Sequence, residues 1–302
     1  MDDRVTRCRR QVAASHGRAR DVRIPSHLSG RAQIGVHRRG LRYVYLRPGT
    51  GNVQPVDLLG RALVPVWTPD GKHIVGSVSS NFGLDWMRSD VPGSVVHLLD
   101  SAENLVAWSF SPDGRHLAYF SRNPKTGFDL WTLPLDLTDP DHPKPGKPEP
   151  FLQTPADEIA PRFSPDGRWI AYRSNETGSD EVWVRPFPPS SAGKWQISSG
   201  GGLYGLWSST GRELFYETAD NQIMVMDYTV EGASFVRGKS RLWSPKQLFF
   251  TGTSNLDLMP DGKHFAVLAI PESAGAEKSS VHVTMLQNFF DEARRRIPPG
   301  GK

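Results

Sequence analysis

The chain has 302 residues, a formal net charge of +4 and a single cysteine, Cys8. One cysteine excludes a disulfide framework and a multi-cysteine metal site. The longest apolar run, Phe265 to Ile270, is much shorter than the ~20 residues of a membrane-spanning helix. The content of 29 Gly and 25 Pro indicates many turns and argues against a coiled coil.

The positive charge is concentrated at the N-terminus. Residues 1–42 contain eleven Arg and three Asp, a balance of +8, which leaves −4 for the rest of the chain. An Arg-rich segment can bind nucleic acid, but this one contains no aromatic residue on which bases could stack. We therefore expect no nucleic-acid partner and predict that residues 1–40 form a poorly ordered or atypical leader. The segment lacks the apolar stretch of a signal peptide, which predicts a cytoplasmic protein if the chain is complete as written.

The rest of the chain contains a repeated segment. Five copies align, and their sequences are VPVWTPDGKHIVGS, AWSFSPDGRHLAYFS, APRFSPDGRWIAYRS, YGLWSSTGRELFYET and NLDLMPDGKHFAVLA. The turn residue of each copy is Asp70, Asp113, Asp166, Thr210 or Asp261, at intervals of 43, 53, 44 and 51 residues. A weaker sixth copy begins at Ser26. Repeats of 40–50 residues built from short strands are typical of propeller blades.

The residues of one copy predict a β-hairpin. Pro and Asp suit the central positions of a type I turn, and the following Gly suits a left-handed conformation. Period-2 apolar stripes flank the turn, with Ile74, Leu117, Ile170, Leu214 and Phe265 at one equivalent position. Third strands are predicted at LDWMRS, FDLWTLPL, EVWVRPF, QIMVMDY and VHVTML, and outer strands at VVHLL, EPFLQT, KWQIS and RLWSP. We therefore predict an all-β propeller over 41–302, with about six blades of four antiparallel strands and a short C-terminal helix from Asn288.

Two of the intervals are longer than the others. The 53-residue interval contains five prolines within 139–150, which predicts an extended loop between the third and fourth strands. The 51-residue interval contains DYTVEGASFVRGKSRLW, which predicts an enlarged outer hairpin.

The unit S-P-D-G-[RK]-x-[IL]-A-[YF] resembles the TolB-type β-propeller repeat. Residues 60–297 also resemble the propeller regions that follow bacterial serine/threonine protein kinases, through APRFSPDGRWIAYRSNETGSDEVWVRPFP, KWQISSGGG, GRELFY, MVMDYTVEG and NFFDEARRR. The resemblance implies a protein-interaction or sensor module of a bacterial signalling protein. It also implies a periplasmic location if the chain is a segment of a membrane-anchored parent.

Catalytic motifs are absent from the sequence. The kinase phosphate loop is missing, His37-Arg38-Arg39 lacks the catalytic Asp, and no G-x-S-x-G elbow occurs. His73, His116 and His264 share one repeat position, which predicts outward-facing side chains and not a shared metal site. We therefore expect no enzyme activity, metal or cofactor. The alternative is a propeller enzyme, either a metal-dependent lactonase or the remnant of a prolyl-oligopeptidase-like peptidase.

Binding is predicted on the propeller face opposite the S-P-D-G turns. Its candidate residues are Asn81, Arg122, Asn123, Asp157, Glu158, Asn175, Glu176, Tyr204 and Asn255. Polar and amide-rich loops suit a peptide or small ligand, and we expect a monomer that binds an unidentified protein or peptide. The aspartates Asp70, Asp113, Asp166 and Asp261 are predicted to be structural turn residues.

Overall fold

A computed structural model describes residues 64–76, 82–91, 93–191 and 193–245, and shorter stretches at 44–46, 53–55, 247–248, 254, 256–259, 261–262, 264–268 and 283–286. Strands, turns and bends make up the described part of the chain, which contains no helix. No described helix is therefore long and apolar enough to cross a membrane. The predicted leader, the start of the weak sixth repeat and the predicted C-terminal helix lie outside the described residues.

Six antiparallel sheets are formed by the described strands. The first is the pair β1 (Val44–Leu46) and β2 (Val53–Pro55). Blade 1 contains β3 (Val66–Trp67), β4 (His73–Gly76), β5 (Leu84–Arg88) and β6 (Val95–Leu99). Blade 2 contains β7 (Leu105–Phe110), β8 (His116–Asn123), β9 (Gly127–Asp136), β10 (Lys144–Pro145) and β11 (Glu149–Leu152).

The remaining three sheets continue the series. Blade 3 contains β12 (Glu158–Phe163), β13 (Trp169–Ser174), β14 (Glu181–Pro186) and β15 (Trp195–Gln196). Blade 4 contains β16 (Gly205–Trp207), β17 (Glu213–Glu217), β18 (Ile223–Glu231) and β19 (Ser234–Ser244). Blade 5 contains β20 (Leu256–Leu258), β21 (Phe265–Leu268) and β22 (Val283–Leu286). Each predicted repeat thus forms one sheet, and the sheet count agrees with about six blades.

The first strands of successive blades lie side by side. β3 contacts β7, β7 contacts β12, β12 contacts β16, and β16 contacts β20. Within each blade the strands pair antiparallel in chain order, except that β10 and β11 both pair with β9, so the sheet extends outward from these inner strands. This is the arrangement of a β-propeller.

The predicted apolar stripe is the interior of the protein. Ile74, Leu117, Ile170, Leu214 and Phe265 are all 0% exposed. Four clusters of buried apolar side chains run from blade 1 to blade 5, mostly between the faces of neighbouring blades. Blades 1 to 5 therefore bury apolar side chains against one another, which stabilises the fold by ~25 cal/mol per Å² of apolar surface.

The Pro-Asp-Gly turns have the predicted geometry. Gly71, Gly114, Gly167 and Gly262 have φ angles between 67° and 74°, in the left-handed region that favours glycine. The N–H of each glycine donates to the carbonyl three residues before it at 2.9 Å. The four predicted turn aspartates therefore lie where the repeat places them.

The Pro-rich interval packs on the preceding blade. Trp86 Nε1 of blade 1 donates to the carbonyl of Pro140 at 3.0 Å. Asp141 lies 2.9 Å from His73 Nε2 and accepts from Arg88 Nη1 at 2.9 Å. The prediction that His73 faces outward is wrong, because Trp86 and Asp141 cover the ring and leave the residue 2% exposed.

The long hairpin of blade 4 packs on blade 3 in the same manner. Phe235, at the start of β19, is 1% exposed and lies 5.4 Å from Trp169, 5.7 Å from Trp195 and 6.1 Å from Trp207 between ring centroids. Arg168 Nη2 donates to the carbonyl of Gly232 at 2.6 Å. Both long intervals therefore tie one blade to the blade before it.

Candidate binding face

The propeller has two faces that the antiparallel topology separates. The turn face consists of the first hairpin turns, residues 68–72, 111–115, 164–168, 208–212, 259 and 261–262. The loop face consists of the described connections at the other strand ends, residues 82–83, 100–104, 123–127, 153–157, 175–180, 197–204 and 218–222. The predicted binding residues Arg122, Asn123, Asp157, Glu158, Asn175, Glu176 and Tyr204 lie in or beside the loop face, whereas Asn81 and Asn255 lie outside the described residues.

Asn123 closes the loop between β8 and β9. Its Nδ2 donates to Asp129 Oδ2 at 2.9 Å, and its Oδ1 accepts from the backbone N–H of Lys125 at 3.0 Å. Asp129 Oδ2 also accepts from Thr126 Oγ1 and from Gln153 Nε2, both at 3.0 Å. Asn123 thus shapes the loop that presents its neighbours.

Asp157 and Asn175 connect blade 2 to blade 3. Asp157 Oδ1 accepts from the backbone N–H of Phe128 at 3.0 Å, and the backbone N–H of Asp157 donates to Asn175 Oδ1 at 2.9 Å. A weaker contact of 3.4 Å joins Asn175 Nδ2 to Asp157 Oδ2. The two predicted site residues therefore hold three loops together, and both side chains are engaged in the fold.

Glu158 lies beneath this connection at the start of β12 and is 1% exposed. Its Oε1 accepts a hydrogen bond from Thr154 Oγ1, and its Oε2 has no hydrogen-bond partner among the described residues. Burial raises the pKa of Glu158 to about 7, and the negative charges of Asp129 and Glu176 contribute in the same direction. Glu158 is therefore a buried carboxyl group and not a surface contact.

Glu176 forms the edge of the same face. Its Oε2 pairs with Lys194 Nζ, and that ammonium lies 4.8 Å from the centroid of the Trp183 ring. In the described part of the chain, no group of three His, Cys, Asp or Glu residues has the arrangement of metal ligands.

Tyr204 packs against a ring from a non-neighbouring blade. Its ring stacks on Trp108 of β7 with a centroid distance of 5.7 Å and an interplanar angle of 19°. Tyr204 precedes the inner strand of blade 4, and Ala160 of the intervening blade 3 belongs to the same cluster. The two rings therefore meet near the propeller axis, and each residue is 7% exposed. This burial raises the pKa of the Tyr204 phenol.

A second contact crosses between non-neighbouring inner strands closer to the turn face. Arg162 Nη1 of β12 lies 3.3 Å from Asp257 Oδ1 of β20. The backbone carbonyl of Arg162 accepts from Trp207 Nε1 at 2.9 Å. Side chains from blades 2 to 5 therefore meet in the central region at two levels.

Two exposed side chains, Arg122 and Phe82, offer a cation and an apolar ring beside the loop face. Arg122 is exposed at the end of β8. Phe82 is 51% exposed and has a φ of 56°, a conformation that a bulky residue rarely adopts. Its carbonyl accepts from the backbone N–H of Leu105, which fixes the loop against blade 2. Sequence analysis did not predict Phe82 as a site residue, because Phe82 lies outside the repeat. The signal that could have identified it is an aromatic residue before Gly83 in a predicted loop.

Comparison with known proteins supports the architecture. No protein-family model matches the chain, and no curated protein matches it. Among solved structures, TolB from Acinetobacter baumannii matches with a TM-score of 0.52 and 16% identity over 79% of this chain and 58% of that chain. The chain has the fold of a TolB-like β-propeller. It also matches a puromycin hydrolase with a TM-score of 0.51 and 15% identity, over 82% of this chain and 40% of that one.

Both of these matches cover only part of a longer protein. The chain spans 58% of the Acinetobacter TolB and 40% of the hydrolase. An oligogalacturonate lyase in complex with manganese also matches, with a TM-score of 0.49 and 14% identity over 77% of this chain and 65% of that chain. At these identities the likeness shows the fold alone.

Proposed function

We propose that this TolB-like propeller is a non-catalytic interaction module that binds a peptide or a protein partner on its loop face. The supporting observation is the stack of Trp108 on Tyr204, which occupies the axis just below that face. Small-molecule sites are usually deep and concave, whereas a filled axis leaves a broad surface between the loops. Such a surface suits a partner that covers several blades.

The exposed groups of the face fit this role. Phe82 offers an apolar ring, and Arg122 offers a planar cation. Aromatic and Arg side chains are enriched among the residues that contribute most to protein–protein binding. Around them, the bonds of Asn123, Asp157 and Asn175 hold the loops in one conformation. Preorganised loops lose less entropy on binding.

The setting that we propose is a bacterial signalling protein of the kinase type, in which this propeller is an accessory region. This part of the proposal rests on the sequence phrases that resemble kinase-associated propellers. A propeller enzyme is the competing hypothesis. Adding CaCl₂ to the purified chain separates the two, because a metal-dependent lactonase should gain thermal stability with calcium and an interaction module should not.

The binding proposal is tested with a random peptide library selected against the purified chain. Affinity of the selected peptides should fall at least about tenfold with Phe82→Ala and with Arg122→Ala, as for central contact residues. The matched controls are Lys72→Ala and Arg115→Ala on the turn face, which should bind as the unmodified chain does. If the peptides lose affinity only with the turn-face variants, the binding surface lies on the turn face and the proposal is rejected.

A further inference from the structure

Two buried carboxyl groups lie close together under the loop face, at the junction of blades 2 and 3. Asp129 of β9 is 0% exposed, and Glu158 of β12 is 1% exposed. Two hydrogen-bonded connections join them. Gln153 bonds to Asp129, and the next residue, Thr154, bonds to Glu158. In addition, Phe128, which precedes Asp129, bonds to Asp157, which precedes Glu158.

Each carboxyl group has one oxygen that the fold leaves unsatisfied. The three donors to Asp129 all reach Oδ2, and Oδ1 has no hydrogen-bond partner among the described residues. Thr154 reaches Oε1 of Glu158, and Oε2 likewise has no partner there. A buried carboxylate oxygen without a donor or a counter-charge is unfavourable, because burial removes the water that would stabilise its charge.

The titratable groups around Glu158 offer no compensation. Asp129 faces it from β9, Glu176 from the loop after β13, and the phenol of Tyr172 from β13 itself. The two charges that act on Glu158, those of Asp129 and Glu176, are both negative. A single proton can neutralise one of the two carboxylates, and unlike a metal ion it needs no further ligands.

We propose that a single proton on Glu158 offsets the charge of the buried Glu158–Asp129 pair, and that its loss loosens the loop face between blades 2 and 3. The affected loops carry Asn123, Asp157 and Asn175, so the proton regulates the surface that we propose for binding. This consequence rests on the proposed function, whereas the proton and the loosening do not. Burial raises the pKa of Glu158 to about 7, which supports the protonated form near neutral pH.

The sign of the effect follows from linkage. A carboxyl group with a raised pKa in the folded protein binds more protons than the unfolded chain between its ordinary value and about 7. The stability contributed by Glu158 is therefore full below pH ~4.5, falls as the pH rises and stays constant above ~7. Other groups also titrate, so the comparison with Glu158→Gln isolates this one.

Thermal unfolding of the full chain without any partner is the first test. Gln resembles the protonated glutamate and carries no charge, so Glu158→Gln should melt like the unmodified protein at pH 5.5. At pH 8.5 it should melt at least about 3 °C higher. Asp129→Asn removes the facing charge and should move the pH transition to lower pH. The control Glu176→Gln leaves the buried pair intact and should retain the transition, shifted to lower pH because one negative charge that acts on Glu158 is removed. Equal melting temperatures of Glu158→Gln and the unmodified protein at both pH values would overturn the proposal.

Amide hydrogen exchange, corrected for the intrinsic pH dependence, is the second test. Residues 123–129 and 153–158 should exchange at least about tenfold faster at pH 8.5 than at pH 6 in the unmodified protein, and equally in Glu158→Gln. Unchanged exchange there would refute the loosening, whatever the peptide-binding results show.

CaCl₂ added at pH 8.5 tests whether a bound cation, instead of a proton, compensates the charge of the pair. Restoration of melting temperature by calcium in the unmodified protein, but not in Glu158→Gln, would assign the site to a cation and reject the proton.

Discussion

The two faces of the propeller are built from different kinds of contact. On the turn face, Ser111 and Ser164 make the same bonds, with hydroxyls 2.6 Å from Asp113 and Asp166. These contacts join residues two to five positions apart. On the loop face, each buried acidic side chain has its own partners, and Asp85, Asp129 and Glu181 each have a contact that spans 12 to 24 residues. Local contacts repeat with the sequence, whereas the long-range contacts differ from blade to blade.

The buried carboxylates show this difference most clearly. Asp85 pairs with His97 Nδ1 at 2.9 Å. Among the described residues, Asp129 accepts from the side chains of Asn123, Thr126 and Gln153. Glu181 accepts from the backbone N–H groups of Gly200 and Gly201 and from the hydroxyl of Ser198. A face whose bonds vary in this manner can diverge in function while the fold is kept.

The largest expected effect concerns the long hairpin of blade 4, formed by β18 and β19, which reaches the turn face. Phe235→Ala removes a ring that is 1% exposed and packs on Trp169, Trp195 and Trp207. We expect the free energy of unfolding in urea to fall by about 3–5 kcal/mol. The control Val236→Ala, at a residue that is 37% exposed, should change it by less than about 1 kcal/mol. Equal losses would mean that the hairpin does not hold blades 3 and 4 together.

The corresponding change under the loop face is Tyr204→Ala. It removes the stack on Trp108 and should lower the free energy of unfolding by about 3 kcal/mol. Tyr204→Phe keeps the ring and should change it by less than about 1 kcal/mol. A stable Tyr204→Ala protein with native tryptophan fluorescence would contradict the placement of this ring on the axis.

The sequence is sufficient to predict the blades and the turns but not the role of the loop-face residues. The repeat places the turn glycine and the buried Ile170 correctly, because both follow from local conformation and period-2 burial. The same reasoning made Tyr204 and Glu158 candidate contacts, and both side chains are buried. Tyr204 stacks on Trp108 and Glu158 interacts with Asp129, and both partners lie in other blades that the repeat alone does not bring together. Whether the exposed part of the face binds a partner stays a prediction.

A smaller effect tests how tightly the loop face is packed. Gly127 and Gly178 have φ angles of 99° and 92°, so an alanine strains both positions similarly. A methyl group at Gly178 meets no atom of the described chain within 4 Å, whereas one at Gly127 collides with Asp157 Oδ1. We expect Gly178→Ala to lower the free energy of unfolding by about 1 kcal/mol and Gly127→Ala by about 2 kcal/mol. Equal values would show that Asp157 moves aside freely.

The smallest expected effect tests the repetition of the turn face. Ser164 Oγ accepts from the backbone N–H of Trp169 at 3.0 Å, and Ser111 Oγ accepts from that of His116 at 2.9 Å. Alanine at either serine leaves that N–H without its acceptor, so each change should lower the free energy of unfolding by about 1 kcal/mol. Because the bonds are the same, urea unfolding of the two variants should agree within about 0.5 kcal/mol. A larger difference would mean that blade context, and not the turn alone, determines the strength of these bonds, and the turn face would then resemble the loop face.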